Sequence, residues 1–159
     1  MSPEGVVALI GINALAWAAM QLGLAWVFTR MPAVWFSRGA AFAWESDGRF
    51  YERLTGVKRW KEWLPDGAAW FAGGVPKRSL PGRGAPILHA FAREISRGEA
   101  THWAAILVTP VFLLWNPPWV MPLHLAYAVA ANLPCIVAQR YNRARLLRLL
   151  ARAEAGKIQ

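Results

Sequence analysis

A chain of 159 residues that is 56% hydrophobic, holds ten tryptophans and still carries a formal net charge of +9 does not describe a soluble domain built on one core. Its single cysteine, Cys135, excludes an internal disulfide. The composition reads as a membrane protein, and the charge is distributed accordingly: Gly5 to Thr29 has no Asp, Glu, Lys or Arg, and neither has Thr101 to Gln139, where only His102 and His124, if protonated, carry positive charge.

About 20 apolar residues in a helix cross the roughly 30 Å hydrocarbon layer. Residues 5–29 are therefore predicted to form a first transmembrane helix. The opening "MSPEG" lacks the basic leader of a secretory signal and the apolar run is longer than such a signal's, so the helix is read as an uncleaved anchor. Residues 30–95 follow as an interfacial segment rather than a disordered linker, since Trp35, Trp44, Trp60, Trp63 and Trp70 stud it. In "GRFYERLTGVKRWKEWL", Phe50, Leu54, Val57, Trp60 and Leu64 share one helical face, while Arg49, Glu52, Arg53, Arg59 and Glu62 fall mostly elsewhere. That is the pattern of an amphipathic helix lying in the membrane plane. Asp66 and Gly67 are predicted to end it, and "PKRSLPGRGAP" to form a basic loop before the next helix.

The second charge-free tract is interrupted by "WNPPW", where two prolines cannot continue a helix and flanking tryptophans favour the interface. A tight turn there gives spans at about 96–115 and 119–139, followed by a helical tail over 140–159. The fold class predicted is thus an all-α integral membrane domain, with about three transmembrane helices plus the in-plane amphipathic helix. Of the eighteen Lys and Arg, twelve lie between Arg30 and Arg97 and six after Gln139, with none at the turn. Three spans put both basic segments on one side, the cytoplasm, and leave the N-terminus and the double-proline turn outside.

Depth arithmetic selects the candidate site. His102 lies thirteen residues before Trp115 and Asn132 thirteen after Trp119, so both sit about 20 Å from the turn. Ionisable groups at that depth are costly and are functional candidates by default. Glu94, Gly98 and His102 are spaced i, i+4, i+8, and Glu99 is one turn from His102, so either carboxylate is positioned to orient the imidazole. Asn132, Gln139 and Arg143 form one stripe on the following span, predicted to face the first. His124, without an acidic neighbour, reads as structural. His89 and Glu94 make an H-x-x-x-x-E spacing that only weakly matches the H-x-x-x-x-D of some acyltransferases. No phosphate loop, Cys/His cluster or G-x-S-x-G is present, so neither a metal nor a permanently bound cofactor is expected. The basic charge suits the lipid bilayer and anionic cosubstrates rather than nucleic acid.

The order "QLGLAWVFTRMPAVWF", "FAWESDGRFYERLTGVKRWKEWLPDG", "KRSL", "EISRGEATHW" and "NLPCIVAQRYNRARL" resembles the glycosyl-diaponeurosporenoate acyltransferase family over about residues 21–149. Its most specific parts are Glu99, His102 and Trp103 in E-x-x-H-W and "QRYNR" from Gln139 to Arg143; Ala144 follows where the family pattern leads one to expect proline. The resemblance implies that a sugar hydroxyl of a carotenoid glycoside is esterified by a fatty acyl group. Acyl-CoA is then the cosubstrate, and carotenoid glycoside and acyl donor meet at the cytoplasmic leaflet of the cell membrane. In that chemistry His102 is the general base, oriented by Glu99 or Glu94, with Asn132 or Gln139 as oxyanion or hydroxyl donor. Arg140, Arg143 and Arg145, with Lys58 and Arg59, are the phosphate contacts. No Ser or Cys nucleophile adjoins His102, which favours direct transfer. Two alternatives stay open on sequence alone: a non-catalytic lipid-binding subunit of a carotenoid pathway, and another transferase acting on a lipid substrate. Oligomeric state is not legible.

Overall fold

The computed structural model describes residues 2–36, 41–64 and 84–156, and every regular element among them is helical. Helix α1, Pro3–Arg30, begins where the Ser2 hydroxyl accepts the Gly5 N–H at 3.2 Å, with Pro3 at its first position, Glu4 in its first turn and Arg30 in its last. A 3-10 turn over Ala33–Trp35 and another over Ala43–Gly48 lead to two short helices, α2 at Arg49–Thr55 and α3 at Val57–Trp60. Helix α4, Ala85–Leu107, and helix α5, Met121–Glu154, form an antiparallel hairpin, and α1 packs across it.

Two departures from the sequence reading have clear causes. The amphipathic stretch is not one helix: Gly56 adopts φ +62, a left-handed conformation suited to glycine, and splits it into α2 and α3. The break also redistributes the face, burying Val57 completely and Tyr51 nearly so, while Leu54 is 70% exposed. Nor does the helix before the turn run from 96 to 115. It starts at Ala85 and ends at Leu107, and Thr109–Leu114 continues as 3-10 because Pro110 has no N–H for a helical bond. Asp66, Gly67 and most of the basic loop lie outside the described residues.

Three apolar clusters fix the hairpin along its length. Leu88, Phe91, Ala92 and Ile95 of α4 meet Leu146 and Leu150 near the basic end. Tyr51 and Val57 pack on Ala138 and Tyr141 at mid-length. Trp17 packs on Phe112 and Ala128 near the turn, its ring stacked on Phe112 at 4.7 Å between centroids. Only two helical stretches, Pro3–Arg30 and Pro118–Glu154, are long and apolar enough among the described residues to cross a membrane.

The turn that sets α2 against α5 is strained. Ser46, Asp47 and Gly48 all have positive φ, at 49, 59 and 88. A Cβ on Gly48 would sit 3.1 Å from Tyr141 Cδ2 and 3.2 Å from the Tyr141 carbonyl oxygen, so glycine serves both the dihedral and the close approach. What the turn delivers is Glu45, fully buried, with one carboxylate oxygen accepting the Phe42 N–H at 2.7 Å and the other the Tyr51 hydroxyl at 2.6 Å.

Candidate active site

Polar side chains line the seam between α1, α4 and α5 in successive layers, from the basic end toward the hairpin turn. Glu94 pairs with Arg97, whose other terminal nitrogen donates to the Thr29 carbonyl at the end of α1 at 3.1 Å. One turn further, Glu99 is buried and accepts from two guanidiniums: Arg140 Nε at 2.8 Å on one oxygen and Arg143 Nη1 on the other. The Trp103 indole N–H adds a 3.4 Å contact to Glu99, and Arg140 reaches to 3.8 Å from Glu45. Glu45, Arg140, Glu99 and Arg143 thus form a charge-balanced chain, the arrangement that lets carboxylates and guanidiniums be taken out of water. Tyr51 caps it: burial first, then its bond to Glu45, pushes the phenol up to about 12, so it stays a neutral donor.

The next layer holds His102, half-buried on α4. Its Nδ1 lies 2.9 Å from Asn132 Oδ1 across the seam. The Asn132 amide is oriented independently, since its nitrogen donates to the Ala128 carbonyl at 2.9 Å and its oxygen also receives Gln21 Nε2 at 3.3 Å. An amide oxygen only accepts, so Nδ1 carries a proton, and the neutral tautomer compatible with this contact has its lone pair on Nε2. Toward the turn, Trp17 Nε1 donates to His124 Nδ1 at 3.2 Å, and Asn13 and Asn116 exchange amide bonds of 2.9 Å each beside Trp115.

The sequence-predicted residues therefore sort into new partnerships. His102 and Asn132 meet, as their equal depth suggested. The Glu99 carboxylate is occupied by Arg140 and Arg143, and Glu94 by Arg97, rather than either orienting the imidazole. The arginines read as phosphate contacts are likewise engaged: Arg140 and Arg143 with Glu99, and Arg145 with the Tyr141 hydroxyl at 2.8 Å. Lys58 and Arg59 are exposed, Lys58 3.9 Å from Glu52. The H-x-x-x-x-E pair does not assemble, because His89 Nε2 lies 3.0 Å from Glu154 and Glu94 faces Arg97. Gln139 and Arg143 are buried, and the Gln139 Oε1 acceptor and the Arg143 Nε donor, one turn apart, meet no hydrogen-bonding partner among the described residues.

Glu45, Tyr51 and Gln21 escaped the sequence reading. A signal for Gln21 was present: Asn13, Trp17 and Gln21 are spaced i, i+4, i+8 in an otherwise apolar helix, and all three bond to the hairpin. Beside the seam, an apolar groove of about 260 Å³ runs between Trp60 and the α5 residues Val129, Leu133, Pro134 and Val137.

Residues 32–152 match the family model described as glycosyl-4,4'-diaponeurosporenoate acyltransferase. A relative of that name from Staphylococcus haemolyticus (strain JCSC1435) is 29% identical over 139 residues, covering 85% of this chain and 81% of its own. Two relatives of the same name from Staphylococcus aureus, strains bovine RF122 / ET3-1 and USA300, are each 32% identical over 138 residues, covering 84% of this chain and 83% of theirs. No solved structure matches the chain.

Proposed function

The chain belongs to the glycosyl-4,4'-diaponeurosporenoate acyltransferase family and is an acyltransferase; on that premise we propose that it esterifies a sugar hydroxyl of a carotenoid glycoside with a fatty acyl group from acyl-CoA. The observation that carries the site assignment is the His102–Asn132 contact at 2.9 Å, which holds a proton on Nδ1 and so selects the tautomer in which Nε2 is the basic nitrogen. His102 Nε2 takes the proton of the sugar hydroxyl as its oxygen attacks the thioester carbonyl. The tetrahedral adduct collapses with cleavage of the C–S bond, and the imidazolium returns the proton to the departing thiolate, so ester and free thiol leave a neutral site. Asn132 positions the ring through its oxygen; one of its two amide hydrogens goes to the Ala128 carbonyl, and the other, or the Gln139 amide, serves as oxyanion or hydroxyl donor. Gln139 Oε1 and Arg143 Nε, a buried acceptor and donor, suit a further hydroxyl of the sugar. The groove beside Trp60 suits an apolar chain.

The setting proposed is the cytoplasmic leaflet of the cell membrane, with α1 and the two arms of the hairpin crossing and α2 and α3 at the interface. Burial supports it: only 6% of the apolar window of α1 and 22% of that of Pro118–Glu154 is buried within the protein, whereas the core helix of a soluble domain is mostly covered. In this arrangement the N-terminus and the turn are outside, and 30–95 and 140–159 form the cytoplasmic part of one domain. Cysteines placed singly at Ser2, Arg59 and Trp119 in a Cys135→Ser background label from outside, inside and outside respectively. Trp119, 80% exposed, reports the turn better than the buried Asn116. Outside labelling at position 59 overturns the topology.

Purified enzyme given a long-chain acyl-CoA and a glycosylated carotenoid forms the ester and one equivalent of free thiol, and the aglycone is inert. Absence of ester with every glycosylated acceptor tried sinks the proposal.

A further inference from the structure

We infer that the pocket between the Ser46–Gly48 turn and α2 binds the phosphorylated adenosine of the acyl-CoA, an inference that rests on the donor proposed above. About 520 Å³ in volume, it is lined by Trp44, Ser46, Arg49, Phe50, Arg53 and Leu54. That is within the roughly 300–1,000 Å³ of small-molecule sites.

Among the described residues neither of its cations pairs with a carboxylate. Both are arginines on α2, and the described acids of the turn and of α2 have other partners: Glu45 meets Phe42, Tyr51 and Arg140, Asp47 lies 3.6 Å from Arg148, and Glu52 lies 3.9 Å from Lys58. Arg49 uses Nε on the Ser46 carbonyl at 3.3 Å, an anchor that leaves its terminal nitrogens for a ligand. Among the described residues Arg53 makes no ion pair. The arginines closer to His102 are in the opposite state, because Glu45 and Glu99 together neutralise Arg140 and Arg143. Two forked cations without carboxylates are a phosphate-binding arrangement.

The walls select more than phosphate. Trp44 is 49% exposed, and Phe50 stands edge-on to it at 4.9 Å and 83°. A purine offers a flat ring to such walls, whereas the glycerol phosphate of a lipid headgroup brings no aromatic surface. Reach is consistent as well. Ser46 adjoins Glu45, which approaches Arg140, and Arg140 lies eight residues along α5 from Asn132, about 12 Å at 1.5 Å per residue. A donor anchored here needs a long arm between its phosphates and its carbonyl, which a coenzyme A thioester has.

Adenosine 3',5'-bisphosphate is the probe, titrated calorimetrically into the full chain in zwitterionic nanodiscs, so that binding is read without turnover. Wild type binds it far more tightly than inorganic phosphate and is inhibited competitively against acyl-CoA. Arg49→Ala/Arg53→Ala weakens this binding and raises KM for acyl-CoA, each by about tenfold or more, with the effect in KM rather than kcat. Trp44→Ala removes most of the preference for the bisphosphate over phosphate. Bisphosphate binding that the double arginine variant leaves unchanged overturns the inference. So does a variant whose only loss is in binding to phosphatidylglycerol vesicles, since that outcome assigns the pocket to a lipid headgroup. If the bisphosphate binds as described but no ester forms, the catalytic reading fails and the nucleotide site stands.

Discussion

His102→Ala lowers the turnover of acyl transfer by about 10²–10⁴, the range for loss of a positioned acid or base, in protein that is still inserted and folded. The Nδ1 side of the ring meets Asn132 Oδ1 at 2.9 Å, while the buried charges of the neighbouring layer pair with one another, so the alanine variant keeps the Glu99–Arg140–Arg143 contacts of the seam. Added imidazole restores part of the activity of the alanine variant, because a diffusible base then occupies the space the ring has left. Asn132→Leu removes the acceptor for Nδ1–H and frees the ring to turn or change tautomer. Its turnover falls, by less than that of His102→Ala, and imidazole does not restore it. His124→Phe serves as the comparison: His124 sits against Phe112 at 4.4 Å between centroids and accepts from Trp17, in the layer nearer the turn, and its loss leaves turnover near wild type. Near wild-type transfer by well-folded His102→Ala overturns the assignment. The assay is initial rate of ester formation at saturating donor, normalised to monodisperse protein.

The parts of the fold that follow from one-dimensional rules were legible. The charge-free run of residues 5–29 becomes the body of α1, and the double proline becomes the hairpin turn, because helix length and proline chemistry act locally. Equal depth counted from that turn correctly paired His102 with Asn132, although the rise between Thr109 and Leu114 is 3-10 rather than α. Interactions set by competition between partners were not legible. From spacing alone Glu99 has His102 one turn away, but two guanidiniums from α5 outbid an imidazole for a buried carboxylate, and nothing in the α4 sequence announces them. Glu45 was hidden for a different reason. Its burial depends on three successive left-handed residues at 46–48, a backbone path that a helical periodicity reading of the neighbouring stretch does not contain.

The Glu99 ladder yields the second large effect, and its sign separates two roles. If Glu99 serves the arginines, Glu99→Gln leaves Arg143, with a side chain 7% exposed, and the partly covered Arg140 with a neutral partner where a carboxylate stood. Removing one member of a buried ion pair costs about 3–5 kcal/mol, since the remaining charge keeps its desolvation penalty and loses its compensation. Exposure of Arg140, which also approaches Glu45, moderates that figure, so the loss lies toward the lower end of the range. The variant unfolds at markedly lower temperature or denaturant in detergent micelles, while turnover per folded molecule stays within a few-fold of wild type. Glu99→Gln combined with Arg143→Met recovers part of the stability, because the uncompensated cation is gone and an apolar chain fills its place. A role in orienting His102 produces the reverse pattern. Turnover then falls by an order of magnitude or more with stability unchanged, and Arg143→Met gives no rescue. Unfolding midpoints and initial rates measured on the same three preparations decide between them, and a stable, catalytically crippled Glu99→Gln returns the carboxylate to the imidazole.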